Sequence, residues 1–216
     1  MFQRIARRYD LANHLLSGGL DFWWRQRASE IVRQWNPARL LDLATGSGDL
    51  ALTIAKKLRQ VEITGADFCA EMLEVARAKG LEKTVVADAL DLPFAEASFE
   101  AVTVAFGLRN MADWGAALQE MARVLAPGGH VLVLDFSLPE GFLRPIYRAY
   151  LHHLLPGVAG AVTGERKAYQ YLGASIEKFP SGRAMCQLLE QSGFSSATAQ
   201  PLSGGIVTLY CATRKG

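Results

Sequence analysis

The sequence predicts an α/β protein built on a doubly wound, mostly parallel sheet of seven strands, with the last strand reversed and helices added near both ends. Three observations carry that prediction. Short runs rich in Val, Leu and Ile alternate with longer amphipathic stretches, and a crossover helix between two strands makes them parallel. A glycine-bearing turn, "TGSGD" at 45–49, follows the first of these runs. The last two strand-like runs are separated by only "SGG" at 203–205, too short for a crossover, so they must form a hairpin and a reversed edge.

Taken in order, residues 1–35 read as helices. Tyr9, Leu11, Leu15 and Leu16 fall near helical spacing, Ser17-Gly18-Gly19 breaks the run, and Phe22, Trp23 and Trp24 belong to a second helix that Pro37 ends. "RLLDLA" (39–44) is the first strand and "LALTIAKKL" (50–58) the helix after the glycine turn. "VEITGAD" (61–67) and "TVVADA" (84–89) are strands flanking the helix "CAEMLEVARAKG" (69–80), which Gly80 closes. "FEAVTVAFG" (99–107) is the fourth strand. The helix "DWGAALQEMARVL" (113–125) stops at "APGG" before the fifth strand "HVLVLDF" (130–136). Residues 142–157 and 165–176 are helical, and 181–193 form a helix capped by Ser181 and stopped by Gly193. "SSATAQPL" and "GIVTLYCATRK" close the sheet.

A chain of 216 residues with half of them hydrophobic suits a single domain, 1–216, with a helical cover at 1–36 and a helical insertion at 140–178. A net charge of +2 does not advertise nucleic acid, and none is expected as a partner. The three cysteines are scattered, without a C-x-x-C pair or nearby histidines, so they read as reduced packing residues, with no metal site expected. Neither a secretory h-region nor the roughly twenty uninterrupted apolar residues of a membrane span is visible. A cytoplasmic protein is expected.

The chemistry gathers at strand ends, where ligands bind in such sheets. Gly46-Ser47-Gly48 sits between strand and helix, with Ala51 able to stand for a third glycine, so the loose dinucleotide spacing is met; a plain structural turn would need glycine too. The charges discriminate. Asp42 ends the strand and Asp49 follows Gly48, and negative charge there competes with a pyrophosphate for the same amides. A ligand carrying an ammonium and a sulfonium is welcomed instead, which points to S-adenosyl-L-methionine. Asp67 lies nineteen residues past Gly48, placed either to accept ribose hydroxyls or to cap the next helix. Asp88-Ala89 follows the third strand, where an adenine amino group could be read.

The order "LDLATGSGD", "GADF", "ADALDLPF" and "RVLAPGGHVLVLDFS" resembles the class I S-adenosylmethionine-dependent methyltransferases, which have a Rossmann-like fold. Within them, "YDLANHLLSGGLDFWW" (9–24), "FGLRN" (106–110), "YQYLGASIEKFP" (169–180) and "LSGGIVTLY" (202–210) resemble the ubiquinone/menaquinone-biosynthesis C-methyltransferases over nearly the whole chain. The resemblance implies methylation of a ring carbon in a polyprenylated hydroquinone, demethylmenaquinol or alternatively its benzoquinol counterpart. It also implies cofactor contacts at Ser47, Asp67, Asp88, Ala89 and Ala105. Asp21 stands where that family often has His, Ala126 where it usually has Lys, and Asp135 where it has Glu; the last two read as tolerated surface and strand-end changes.

Arg109 and Asn110 follow an apolar strand, where polar groups cost desolvation unless they meet a partner. An aromatic carbon attacks a sulfonium methyl when an adjacent ring oxygen is ionised, and a cation lowers that oxygen's pKa. Arg109 is suited to that task and Asn110 to orienting the second ring oxygen. The plain structural reading of Arg109 is an ion pair with Asp113. His153 is a candidate base, and Tyr9 and Asn13 are candidates to cover the quinol; helix packing would explain them equally. A prenyl tail would be collected at a bilayer, with peripheral contact at the inner membrane face. The apolar stripes near Phe22 and 142–155 also suit core packing or a homodimer surface. Rival readings are a nicotinamide oxidoreductase, a nucleic-acid amine methyltransferase and a non-catalytic cofactor-binding module. The first is disfavoured by Asp42 and Asp49, the second by "FGLRN" after the fourth strand, and the third by Arg109 and Asn110.

Overall fold

The computed structural model describes residues 17, 19–154 and 166–216. Helix α1 (Leu20–Trp35) precedes β1 (Arg39–Leu43), α2 (Asp49–Lys57), β2 (Glu62–Asp67), α3 (Ala70–Ala78), β3 (Lys83–Val86) and β4 (Phe99–Ala105). Then come a 3-10 turn at Leu108–Asn110, α4 (Trp114–Val124), β5 (Leu125–Phe136), α5 (Leu143–Ala149) with a π-helical continuation over Tyr150–Leu154, α6 (Arg166–Lys178), α7 (Arg183–Gln191), β6 (Phe194–Leu202) and β7 (Val207–Arg214). The seven strands lie in the order β3-β2-β1-β4-β5-β7-β6. β1 to β5 are mutually parallel, and β7 runs antiparallel to both of its neighbours.

The reversed strand is therefore not the outermost one, because β7 inserts between β5 and β6. Pairing with β5 over His130–Phe136 gives β7 a long, buried partner and leaves β6, whose side chains alternate between covered and exposed, as the edge. Two further expectations are corrected. "APGG" does not separate helix from strand: β5 starts at Leu125, directly after α4, and absorbs those residues through a register shift opposite Phe99 and Ala101. The residue capping α7 is Gly182 rather than Ser181, and no side chain caps that helix.

Helices cover both faces. On one, Trp24, Ala28 and Val32, four residues apart along α1, pack with Leu50, Ala51 and Ile54 of α2 over Leu40, Leu132, Leu134 and Leu209. On the other, Leu118, Met121 and Val124 of α4 and Met185 and Leu189 of α7 pack over Leu41, Leu43, Val102, Val104, Val131 and Val133. Central strands buried on both faces explain their unbroken apolar runs. No described helix is long and apolar enough to cross a membrane.

The parallel register aligns the carboxyl ends of the strands, with Leu43 beside Ala66 and Val104. Two non-glycine residues just past those ends, Ala44 (φ 50°) and Phe106 (φ 58°), hold left-handed backbone, which costs on the order of 1–3 kcal/mol each. Gly107 makes the turn after β4 possible, since a Cβ there would lie 2.5 Å from Ala44 Cβ. Gly107→Ala should therefore lower stability by about 1–3 kcal/mol through overpacking, read as a shift in the urea midpoint.

Candidate active site

A cleft opens at the carboxyl ends of β1, β2, β4 and β5, with α1 as its roof. Asp42, at the tip of β1, is buried between two hydroxyls: Thr45 Oγ1 donates to one oxygen and Thr103 Oγ1 to the other, each at 2.6 Å. Burial pushes its pKa up to about 6, against the pull of those hydroxyls, the Ala51 amide and the charge of Arg25. Gly46 (φ +55°) and Gly48 (φ +83°) shape the loop that follows, and Gly48 caps α2. Asp67, at the tip of β2, receives the Gly46 amide at 2.8 Å and the Cys69 amide at 2.9 Å. Its pKa is raised because desolvation outweighs those amides. This carboxylate ties the two loops together and faces the cleft with Ser47, Ala105 and the 70%-exposed ring of Phe68. It is not the cap of α3, a position held by Cys69.

Arg109 does not pair with Asp113, which instead caps α4 by accepting from Ala116 N. Its partner is Asp135 at the end of β5: Nη1 to Oδ1 is 2.7 Å, and the Arg109 amide donates to Oδ2 at 3.2 Å. Asp135, at the strand end, is 0% exposed and serves as a buried counter-ion. The guanidinium also donates to Phe106 O and stands 5.1 Å over the Phe136 ring. Asn110 faces the same cleft, its amide nitrogen 3.4 Å from Phe106 O.

The roof supplies side chains that sequence patterning did not single out as site residues. Asp21 is 2% exposed; Ser17 Oγ donates to its Oδ1 at 2.7 Å and Arg25 Nη1 pairs with its Oδ2. Arg25 also approaches Asp49, which Lys79 binds at 2.8 Å. Trp24, Phe106 and Phe136 form a cluster with ring centroids 4.9–6.1 Å apart. Trp24 Nε1 donates to Ser203 Oγ at 2.9 Å, fixing α1 to the turn between β6 and β7. Beyond this cluster lies a second, apolar cavity of about 460 Å³, lined by Leu20, Leu143, Ile146, Tyr147, Leu172 and Ile176 among others. Ser17, Trp24 and Phe136 line both cavities.

A model of the ubiE/COQ5 methyltransferase family matches residues 1–214 of the chain. The chain belongs to this methyltransferase family. It is 45% identical to a demethylmenaquinone methyltransferase of Thermus thermophilus, over 99% of this chain and 100% of that one. It is 42% identical to a ubiquinone/menaquinone biosynthesis C-methyltransferase of Syntrophotalea carbinolica, over 99% and 92% of the two chains. Among solved structures, a methyltransferase of Thermotoga maritima described as a possible histamine N-methyltransferase has the same fold, with a TM-score of 0.69 at 18% identity over 99% of this chain and 98% of that one. A phosphoethanolamine N-methyltransferase of Haemonchus contortus, solved with S-adenosyl-L-methionine, aligns with a TM-score of 0.60 at 16% identity over 82% and 49% of the two chains.

Of the expected site residues, Asp42, Gly46, Ser47, Asp67, Ala105, Arg109 and Asn110 line the methyltransferase cleft, with Gly48 supporting the loop from behind. Asp88 and Ala89 do not line it: Asp88 is exposed and its carboxylate accepts from the Leu90 amide. Tyr9 and Asn13 lie outside the described residues. The backbone of His153 belongs to the π-helical turn after α5, and its side chain lies outside the described set.

Arg109→Met should leave Asp135 as a buried, uncompensated charge and cost about 3–5 kcal/mol. Adding Asp135→Leu should restore most of that, as read by urea denaturation of the single and double variants. Asp42 gives a pH signature. Its folded pKa of about 6 exceeds the ordinary 3.8, so between those values the folded state binds more protons and wild-type stability rises as pH falls. Asp42→Asn lacks that titration. Its stability relative to wild type should therefore improve by about 2 kcal/mol as pH rises from about 4 to about 7, measured as the difference in unfolding free energy at the two ends.

Proposed function

We propose that this enzyme transfers a methyl group from S-adenosyl-L-methionine to a ring carbon of a polyprenylated hydroquinone, converting demethylmenaquinol to menaquinol. The observation that carries the reading is the meeting of two unlike cavities at one aromatic cluster, a carboxylate-lined cleft opening beside an apolar chamber. Membership of the family and the names of the relatives support the same chemistry.

The residues of the cleft fit the methyl donor. Asp67 is held by two amides yet keeps lone pairs on both oxygens for vicinal hydroxyls. The exposed Phe68 ring offers a face for a purine. Asp42 and Asp67 give the cleft the negative charge a cationic ligand requires, and Gly46, Ser47, Gly48 and Ala105 provide the loop and strand end against which it would lie. When bound, S-adenosylmethionine supplies an electrophilic methyl on a sulfonium.

On the acceptor side, Arg109 would hold the nearer ring oxygen as the phenolate. A phenol ordinarily titrates near 10, and a cation within contact distance favours the ionised form. Arg109 cannot itself be the base. Its bond to Asp135 fixes the direction of the guanidinium, and Asn110 would orient the second oxygen. The apolar chamber suits the prenyl tail. Around its mouth, Leu20, Leu143 and Ile146 are exposed, with Phe22, Trp23 and the 79%-exposed Phe142 on the same two helices and Arg144 nearby. An apolar rim with basic residues suits peripheral contact with an anionic bilayer.

One experiment tests the reading. The protein is incubated with methyl-labelled S-adenosylmethionine and either short-chain analogues of the naphthoquinol and benzoquinol in solution or the long-tailed naphthoquinol in anionic vesicles. The expected product is naphthoquinol with a carbon-bound methyl, formed faster from vesicles. Label on oxygen, or no label on either ring, overturns the proposal; label on the benzoquinol alone moves the substrate to the other ring class.

A further inference from the structure

We propose that Asp21 is the acceptor of the ring proton in the methyl transfer, a role that rests on the aromatic C-methylation proposed above. Methylating an aromatic carbon makes it tetrahedral, bearing both the new methyl and its original hydrogen. An electron pair of the ring forms the new carbon–carbon bond, and the sulfur–methyl bond breaks with its pair left on sulfur. The ring then regains aromaticity by keeping the electrons of its C–H bond and releasing that hydrogen as a proton. A base must stand beside the carbon to take it. Because aromatisation drives the step, a carboxylate of ordinary strength is basic enough.

The position of Asp21 meets this requirement. It projects from α1 into the cleft, between Ser17 and Trp24 on the same chain segment, and those two residues line both cavities. Donor and acceptor must meet at that junction. Arg25 pairs with Oδ2, and Arg109 lines the same cleft. The half-buried Ser17 hydroxyl bonded to Oδ1 gives the proton a path outward.

The other acidic groups of the site have different tasks. Asp42 lies at the tip of β1, bound to Thr45 and Thr103, and Asp67 at the tip of β2, bound by two loop amides, both on the sheet side of the cleft rather than on its roof. Asp49 turns to Lys79, with Arg25 beyond, and Asp135 lies behind Arg109 with no exposure. Among the described residues of the cleft, Asp21 is the carboxylate one helical turn from both Ser17 and Trp24, the α1-side residues that line both cavities.

The test compares wild type with Asp21→Asn, using a naphthoquinol analogue carrying deuterium at the accepting carbon. Three readouts are taken: calorimetric affinity for S-adenosylmethionine, the separate kcat and KM, and the deuterium effect on kcat. Asp21→Asn should lose about 100-fold or more in kcat, keep KM and donor affinity within about threefold, and show a primary deuterium effect absent from wild type. Asp21→Ala should regain turnover when formate is added, since a small carboxylate can enter the space left by the side chain. A variant whose kcat stays within about threefold of wild type, or whose donor affinity falls in step with kcat, overturns the role. So does one that shows no deuterium effect. Should Asp21→Asn fail to fold, Asp21→Ser carries the same measurements, with the same loss of kcat and the same deuterium effect expected, and turnover within about threefold of wild type as the contrary result. A wild type that methylates no ring carbon defeats the proposed function itself, whereas an active wild type with an indifferent Asp21→Asn defeats the Asp21 role alone.

Discussion

A buried carboxylate holds the architecture of this site together. Asp42 joins the tip of β1 to β4 through Thr103, to the glycine loop through Thr45 and to the start of α2 through the Ala51 amide, with the charge of Arg25 reaching it from α1. Each link offsets part of the cost of placing a carboxylate where solvent cannot reach. None offsets it entirely, which is why its pKa stands at about 6. The strand ends must therefore stay in register for the charge to be tolerated at all. Asp67 repeats the arrangement one strand further out, with backbone amides in place of hydroxyls.

The cationic side of the cleft follows a different rule. Arg109 is neutralised by Asp135 and steadied by Phe106 O and the Phe136 ring, so the pair contributes an oriented dipole in a low-dielectric setting more than a net charge. The aromatic rings beside it mark the boundary between the carboxylate-lined cleft and the apolar chamber. Charged groups thus lie on one side of Trp24 and Phe136 and aliphatic ones on the other, a division that suits a reaction between a polar donor and a greasy acceptor.

Much of this was legible in the sequence where function is local to one strand–loop–helix unit. Asp42, the Gly46–Gly48 loop, Asp67 and Arg109 all directly follow or end apolar runs, and the parallel register brings such ends together automatically. What escaped depends on contacts between distant parts of the chain. Arg25 was not singled out, and Asp21 stood out only as a departure from the family's usual His, because nothing local says that this face roofs a cleft. Asp135 looked peripheral because its partner lies 26 residues earlier, in the turn after β4. Gly128 and Gly129 looked like a break, yet β5 carries them within a register shift that only the neighbouring strand could specify.

The bond from Trp24 to Ser203 spans 179 residues of sequence, and it gives the molecule an order of assembly. Contacts of such long range form late, since loop closure must precede them. The loops after β1 and β2, joined through Asp67, can take shape from near neighbours. The roof over them is latched to Ser203 only once the final hairpin has docked, so a chain emerging from synthesis completes its apolar chamber last.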